Sequence, residues 1–266
     1  MKKVIFIIVL SVLSQIGFSQ AVVDTSYQLP VKEKLHYKIY YKLGGIWINA
    51  GLANFKTDTL TTDSIKTYTF TADGYSLKKY AWVYSLEDHY KSIVDYSTLM
   101  PVRFEKENTE KGVWVHNIYN FYPREKKIDL FMEATDKKPI HETMIHDGFI
   151  TDALSAIYYI RTLDFNQYQR GDTISFKSIL DGKVFDQRVV YMGKDEIKTR
   201  AGEKVTTYKL NAVIENSTFF RGDDAVVFWI TDNDQRWLAK VKAKIVVGSI
   251  IVCLDKQGLI SFDEED

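Results

Sequence analysis

Disulfide bonds are the first feature that this 266-residue sequence lacks, because Cys253 is its only cysteine. One cysteine cannot form a bridge within the chain, so the fold must be stabilised by its core. Cys253 lies in an apolar run and is interpreted as a small buried residue. Only four prolines are present, and no proline- or serine-rich linker divides the chain. We therefore expect a single β-rich domain over residues 24–262.

The sequence also has no net charge, because 35 basic residues balance 35 acidic ones. No overall field attracts nucleic acid, and no nucleic-acid partner is expected. The glycine motifs that hold nucleotide phosphates are absent from the sequence. His141 and His146 are five residues apart, which is not a spacing that places two metal ligands on one face. The sequence therefore predicts no metal and no other cofactor.

No apolar run is long enough to cross a bilayer. A positive head, Met1 to Lys3, precedes an apolar run at residues 4–13, which is about half of the roughly 20 residues needed. A polar stretch with small residues follows, and this plan is typical of a secretory signal peptide at residues 1–19, cleaved before Gln20. No cysteine lies near the cut, so the protein is not expected to be a lipoprotein. We predict export to the periplasm or cell envelope as a soluble chain, without a transmembrane span after cleavage.

Most of the chain alternates with a period of two, which indicates strands with one buried and one solvated face. At residues 237–247 the odd positions are apolar, while Lys240, Lys242 and Lys244 occupy even positions. This pattern predicts that the three lysines face water. Asp181-Gly182 predicts a two-residue hairpin turn, because glycine tolerates positive φ. Similar alternation occurs at residues 128–132 and 208–214 and, with a gap, at residues 185–191, and the predicted turn joins strands at residues 173–180 and 183–192.

One segment, residues 151–163, has helical periodicity instead. Leu154, Ile157, Tyr158 and Arg161 recur at spacings that place them on one helix face. The predicted fold is thus mainly β: one large curved antiparallel sheet, or open half-barrel, of roughly a dozen strands with one main α-helix at about 151–163.

Aromatic residues are concentrated in the first half, with thirteen between Tyr68 and Tyr122. Such rings fill β-sheet cores, and they also line apolar or sugar-binding surfaces. Together with the apolar side of the helix they are the candidate ligand contacts. The predicted ligand-binding residues are Tyr75, Tyr80, Trp82, Trp114, Leu154, Ile157 and Tyr158; no catalytic residue is predicted.

Several short segments follow one another in an order that is shared with a known family. They are residues 37–45, 50–51, 92–101, 152–155 running to Arg161, 171–172, and 229–232 through 248–249. Together they resemble an uncharacterised exported bacterial family, domain of unknown function 3108. The resemblance spans about residues 33–254 and implies no known activity, so it transfers no catalytic residues. The end of the signal segment, Phe18-Ser19-Gln20, also resembles Bacteroidetes exports.

Three functions remain open. The first is a non-catalytic periplasmic or envelope protein that binds a lipid or another apolar ligand on its curved sheet, by analogy with half-barrel lipoprotein carriers. The second is an envelope scaffold that uses aromatic side chains for a glycan or protein partner. The third is a hydrolase built on His89 and Asp88, although the sequence contains no nucleophile motif of the G-x-S-x-G type.

Overall fold

The computed structural model of the protein describes residues 18–80, 85–199, 203–213 and 225–255. The predicted signal peptide, apart from Phe18 and Ser19, lies outside these residues, as does Trp82. None of the helices in the described ranges has the length and apolarity needed to span a bilayer.

Sixteen strands within the described residues form one sheet. Their bounds are β1 Phe18–Gln20, β2 Lys34–Leu43, β3 Ile46–Thr62, β4 Ile65–Ser76, β5 Leu86–Asp95, β6 Pro101–Glu110, β7 Val113–Tyr122, β8 Lys127–Ala134, β9 Ile140–Ile145, β10 Thr151–Asp152, β11 Thr173–Leu180, β12 Lys183–Lys198, β13 Lys204–Val213, β14 Val226–Thr231, β15 Leu238–Lys244 and β16 Ser249–Leu254. The α-helix α1 spans Ser155–Arg161, and short 3₁₀ turns lie at Lys78–Tyr80, Pro123–Glu125 and Phe165–Gln167.

The sheet consists of two antiparallel meanders. Strands β2 to β9 form one and β11 to β16 the other, and antiparallel pairing of β16 with β2 joins them. The short strands β1 and β10 both pair in parallel with β11. The predicted mainly-β fold, with one large open antiparallel sheet and one helix, is confirmed.

The helix is shorter than the predicted span of residues 151–163. Thr151 and Asp152 pair with Ser178 and Ile179 of β11, so they form strand β10 instead of the first helical turn. The Asp152 carboxylate accepts hydrogen bonds from the backbone N–H groups of the two residues around the helix start, Leu154 and Ser155. This capping shows why α1 begins three residues after the carboxylate.

The predicted Asp181-Gly182 hairpin is confirmed. Both residues have positive φ, 44° and 75°, as a primed two-residue turn requires. The backbone N–H of Gly182 donates to the hydroxyl of Tyr119 on β7, at 2.9 Å. The sheet therefore curves far enough for the tip of one meander to contact the inner face of the other.

The simple alternation predicted for residues 237–247 is wrong in its first half, and it stops where β15 ends at Lys244, so that Val247, which was expected on the buried face, is 57% exposed. The β14–β15 register shifts between Trp229 and Ile230, because β15 has one extra residue there. Ala239 consequently packs with Trp229 on one face, while Leu238 and Val241 both belong to a cluster on the other. Lys240, which was expected in water, is 5% exposed and lies over the Trp229 ring at 5.2 Å. A β-bulge of this kind inverts the order of faces along a strand.

Two large clusters form the core on the inner face of the sheet, which is the face that α1 covers. The first combines β4 to β8 with Leu154 and Tyr158 of the helix. The second combines β11 to β14 with Tyr159 from the opposite side of the helix. Alternation at residues 128–132 and 208–212 is confirmed, because these positions contribute to the two clusters. Cys253 is buried in β16, as interpreted.

Candidate ligand-binding cleft

The inner face beneath α1 is packed with protein side chains. The Tyr158 ring stacks on the Phe70 ring with centroids 3.8 Å apart, and burial raises the pKa of Tyr158 to about 12. Leu154 and Tyr158 are each 2% exposed, and Ile157 is half-buried. Ile157 and Tyr158 therefore lie on the helix that fills the interior and Leu154 lies directly before it, and Leu154 and Tyr158 serve as core residues.

A buried carboxylate fixes the start of the helix. Ser92 Oγ on β5 donates to Asp152 Oδ2 at 2.6 Å, and Ser155 Oγ accepts from the Asp152 backbone N–H at 2.9 Å. Burial raises the pKa of the Asp152 carboxyl, and its hydrogen bonds act in the opposite direction. The Asp152 carboxylate therefore connects the start of the helix to β5, in the meander formed by β2 to β9.

The predicted aromatic contacts on the strands lie on the outer face. On β4 the buried Tyr68 and Phe70 occupy even positions, so Tyr75 points outward, and it is 40% exposed. Trp114 likewise alternates with the buried positions of β7, and its Nε1 donates to Glu107 at 3.0 Å. The side chain of Tyr80 lies outside the described residues, as Trp82 does. The structure thus separates the predicted ligand residues onto two faces.

The hydrolase pair is not assembled. His89 and Asp88 are neighbours on β5, so their side chains point to opposite faces. His89 contacts Asp73 at 3.0 Å and Glu87 at 3.4 Å on the outer face. Burial raises the pKa of Asp88 on the inner side. Within the described ranges no group of three or more His, Cys, Asp or Glu side chains is arranged to hold a metal ion.

A cleft of about 290 Å³ opens where the β7–β8 turn meets the segment after β9. Its walls are mostly apolar, because β7 and β8 turn core positions towards it and residues 148–150 cover one side. The lining residues are Met100, Phe121, Tyr122, Pro123, Lys127, Ile128, His146, Gly148, Phe149 and Ile150.

His146 contributes a polar group to this mostly apolar cleft. Its Nε2 atom is buried and has no hydrogen-bond partner among the residues that the structure describes. Burial lowers the pKa of the imidazole, and the charge of Lys177 lowers it further. The ring is therefore neutral at pH 7, and the tautomer that carries its proton on Nδ1 leaves the electron pair of Nε2 as an acceptor. A buried polar atom without a partner costs free energy unless a ligand or water satisfies it.

Sequence reasoning missed this cleft. Phe121 and Ile128 were identifiable as inward positions from their alternation, but residues 146–150 form a connection with no periodic signal. His146 was considered only as a metal ligand. What distinguishes it is its burial beside Phe149, which depends on tertiary packing.

The family described as "Protein of unknown function (DUF3108)" matches residues 36–255, more than four fifths of the chain. The chain belongs to this family. The landmarks that carried the resemblance to DUF3108 have defined structural roles: Asp152 and Ser155 cap α1, and Arg161 ends it. The further resemblance to Bacteroidetes exports stays a prediction.

One solved structure has a similar fold to this DUF3108 protein. It is a beta-barrel-like protein of domain of unknown function DUF1849 from Brucella abortus, with a TM-score of 0.53 and 9% sequence identity. The alignment covers 86% of this chain and 98% of that one. At this identity the likeness concerns the fold alone. No curated protein matches the chain in sequence.

Proposed function

We propose that this DUF3108 protein is an exported, non-catalytic protein of the cell envelope that binds one small apolar ligand in the cleft beside His146. The observation that carries the proposal is the buried, unpartnered Nε2 atom within an otherwise mostly apolar lining. Apolar walls with a few placed polar groups are typical of binding sites for small molecules. Export is supported by the signal-like sequence at residues 1–19.

The size of the cleft limits the ligand. Its volume of about 290 Å³ is at the lower end of the roughly 300–1,000 Å³ found for ligand pockets. One acyl chain or one ring system fits this space better than a complete phospholipid does.

The polar groups of the cleft determine which polar headgroup the ligand can carry. A neutral imidazole accepts a hydrogen bond, so we infer that the ligand carries a hydroxyl or a protonated carboxyl group that donates to His146 Nε2. Lys127 at the edge of the cleft is already paired with Glu125 at 3.0 Å, which favours an uncharged head. A fatty alcohol or a short protonated fatty acid has this chemistry.

Displacement of a fluorescent apolar dye by decanol and by decane tests the proposal. We expect decanol to compete more strongly than decane, and His146→Phe to abolish the difference between them. His141→Phe is the matched control, since His141 is an exposed histidine on β9 outside the cleft. Equal competition by both compounds in the wild type, or an unchanged preference in His146→Phe, would contradict the proposed role of His146. Mass spectrometry of solvent extracts checks for a ligand that co-purifies.

A second candidate function rests on the outer face. Tyr75 and Trp114 lie in one row across four neighbouring strands, with Glu87 and Thr109 between them. Three strand spacings separate the two rings by roughly 14 Å. Aromatic rings with carboxylates between them suit a glycan or a protein partner in the envelope. Quenching of Trp114 fluorescence by envelope glycans that is lost in Tyr75→Ala would support this function. Titrations with these glycans that leave the fluorescence unchanged would contradict it.

A further inference from the structure

The sheet has an open edge at β9. Strand β9 is the last in the strand order, and no strand of the described residues pairs with its far side. Five of its six residues are exposed, and only Met144 is half-buried. An open edge presents free backbone N–H and C=O groups, to which another extended chain can add. We call the far side of Ile140–Ile145 the β9 edge.

Half of the residues of β9 turn their backbone groups away from the sheet. The N–H of His146 donates to the Lys126 carbonyl at 2.8 Å, in continuation of the β8–β9 register. Paired residues of antiparallel strands alternate between those that exchange hydrogen bonds and those that do not. Counted back from His146 in steps of two, the residues that bond to β8 are Ile140, Glu142 and Met144. The residues whose N–H and C=O groups face outward are therefore His141, Thr143 and Ile145.

The β9 edge lacks the residues that block open edges in other proteins. It contains neither proline nor lysine, and its register with β8 is continuous. Ile145 at its end is 78% exposed, more than any other large apolar side chain in the described ranges. Blocking residues stand outside the strand instead, with Lys138 and Pro139 before it and Asp147 after it. These flanking residues confine any pairing to β9 itself.

We propose that the β9 edge pairs antiparallel with the β9 edge of a second copy of this chain. A two-fold axis perpendicular to the sheet at Thr143 pairs His141 with the partner's Ile145, and Thr143 with the partner's Thr143. All the outward N–H and C=O groups of both strands are then bonded. Registers centred on Glu142 or Met144 satisfy only two of the three outward residues in each copy.

The side chains fit this register as well. On the outer face Ile145 lies beside the partner's His141, and the His141 ring packs against Phe131 with centroids 4.8 Å apart. On the inner face Glu142 lies beside the partner's Met144, so no like charges are opposite one another. The chain has no net charge, so two copies do not repel each other on approach.

The pairing gives a closed dimer. Both copies use the same edge, so no further β9 edge is left to extend the assembly into a fibre. The inference does not depend on the proposed ligand, because it uses no side chain of the cleft.

Sedimentation velocity over a series of protein concentrations tests the proposal. We expect a monomer–dimer equilibrium for the wild type. Ile145→Lys should raise the dissociation constant about tenfold, because the substitution alters two cross-strand pairs in the dimer. His141→Glu/Ile145→Lys should restore dimerisation, since each lysine then faces a glutamate of the partner. Within one chain the two positions are roughly 13 Å apart and cannot pair.

Ile65→Lys is the matched control. Ile65 is 62% exposed at the start of β4, which has strand neighbours on both sides. This variant adds the same charge at a similarly exposed isoleucine away from the β9 edge. It should dimerise like the wild type.

Hydrogen exchange measured for single amides by NMR locates the interface. The amides of His141, Thr143 and Ile145 should exchange rapidly in the monomer and become protected in the dimer. The amides of Glu142 and Met144 should be protected in both states, because they bond to β8.

Several outcomes would overturn the dimer proposal. These are a wild type that stays monomeric at the highest concentration reached, a dimer that Ile145→Lys leaves unchanged, and an equal loss in Ile65→Lys. Failure of His141→Glu/Ile145→Lys to restore the dimer would exclude the register. Protection of β9 that appears only when another envelope protein is added would assign the edge to that protein. Near-ultraviolet circular dichroism verifies that each variant is folded.

Discussion

The guanidinium of Arg161 donates to both carboxylate oxygens of Glu33, at 2.8 and 3.0 Å, inside the protein. Trp237 Nε1 donates to the same carboxylate at 3.0 Å, and backbone carbonyls of Gln235 and Arg236 accept from Arg161. The pair therefore connects the end of α1, the segment before β2 and the turn before β15. Nearly every donor and acceptor of the two charged groups is satisfied within this cluster.

Removing one partner of the pair should destabilise the protein strongly. We expect Arg161→Met to lower the free energy of unfolding by about 3–5 kcal/mol, because Glu33 is left charged and buried without its partner. The double variant Arg161→Met/Glu33→Leu should recover part of this loss. Urea denaturation measures both. The exposed pair of Lys204 and Glu196 is the control, and Lys204→Met should change stability far less than Arg161→Met does.

The buried carboxylate of Asp152 should make stability depend on pH. Its pKa in the folded protein is raised above the ordinary 3.8, so folding favours the protonated form. The contribution of the group is fully present below pH 3.8 and is lost as pH rises through the raised pKa. Relative to Asp152→Asn, which keeps an acceptor for the helix N–H groups, the wild type should become progressively less stable from pH 4 towards neutrality. A difference that is constant with pH would contradict this prediction.

Replacing the stacked tyrosine on α1 should open a cavity under the helix. We expect Tyr158→Ala to cost about 3–5 kcal/mol, since the Phe70 ring loses its partner in the core. Tyr158→Phe should cost under about 1 kcal/mol, because the hydrogen bond from its hydroxyl to the Lys56 carbonyl is long, at 3.5 Å. Thermal denaturation of the two variants provides the comparison. Equal losses would show that the hydroxyl, and not the ring, is what matters.

The β11–β12 turn should not tolerate a side chain at Gly182. A Cβ atom there would come within 2.8 Å of Met132 Sδ, and the residue has a φ of +75°. We expect Gly182→Ala to cost about 1–3 kcal/mol. Gly45→Ala is the control, because a Cβ atom at Gly45 meets nothing within 4 Å, and it should be close to neutral. Chemical denaturation of both variants measures the difference.

Ligand binding in the cleft should weaken in acid. The pKa of His146 lies below its ordinary 6.5, so at neutral pH Nε2 is an acceptor in the tautomer that is protonated on Nδ1, and it gains a proton when pH falls through that lowered pKa. We expect the affinity for decanol to be constant around pH 7 and to fall below the pKa of His146. His146→Phe should remove this dependence. NMR titration of the imidazole gives the pKa for comparison with the binding curve.

The β-sheet was predictable because the alternation of apolar and polar residues along a strand shows which side chains face the core. Tyr208 and Leu210 alternate with polar residues, and Asp181-Gly182 identifies a turn from two residues alone. The β15 bulge was not predictable in the same way, since an extra residue at Ala239–Lys240 leaves no signature in the strand itself. Its cause is the pairing with Trp229, which is distant in sequence.

The site was harder to predict than the fold. The excess of aromatic residues identifies candidates, but the pairing of the strands decides which face of the sheet each ring occupies. Tyr75 and Tyr158 belong to one chemical class, yet one is on the outer face and the other fills the interior. The cleft around His146 combines residues from β7, β8 and two connections. Periodicity within one segment cannot indicate which distant segments close over it.

The pairing of β16 with β2 has a consequence for how the chain folds. Strand β2 pairs with a strand that lies more than two hundred residues later in the sequence. Nearly the whole chain must therefore be present before the two meanders can join. Until then β2 has a neighbour on only one side, and its other edge offers open hydrogen-bonding groups. Such long-range closure makes folding slow. A chaperone that covers the open edge of β2 would therefore raise the yield of native protein. A chaperone that acts on the β11–β12 hairpin would raise it less, because that hairpin forms locally.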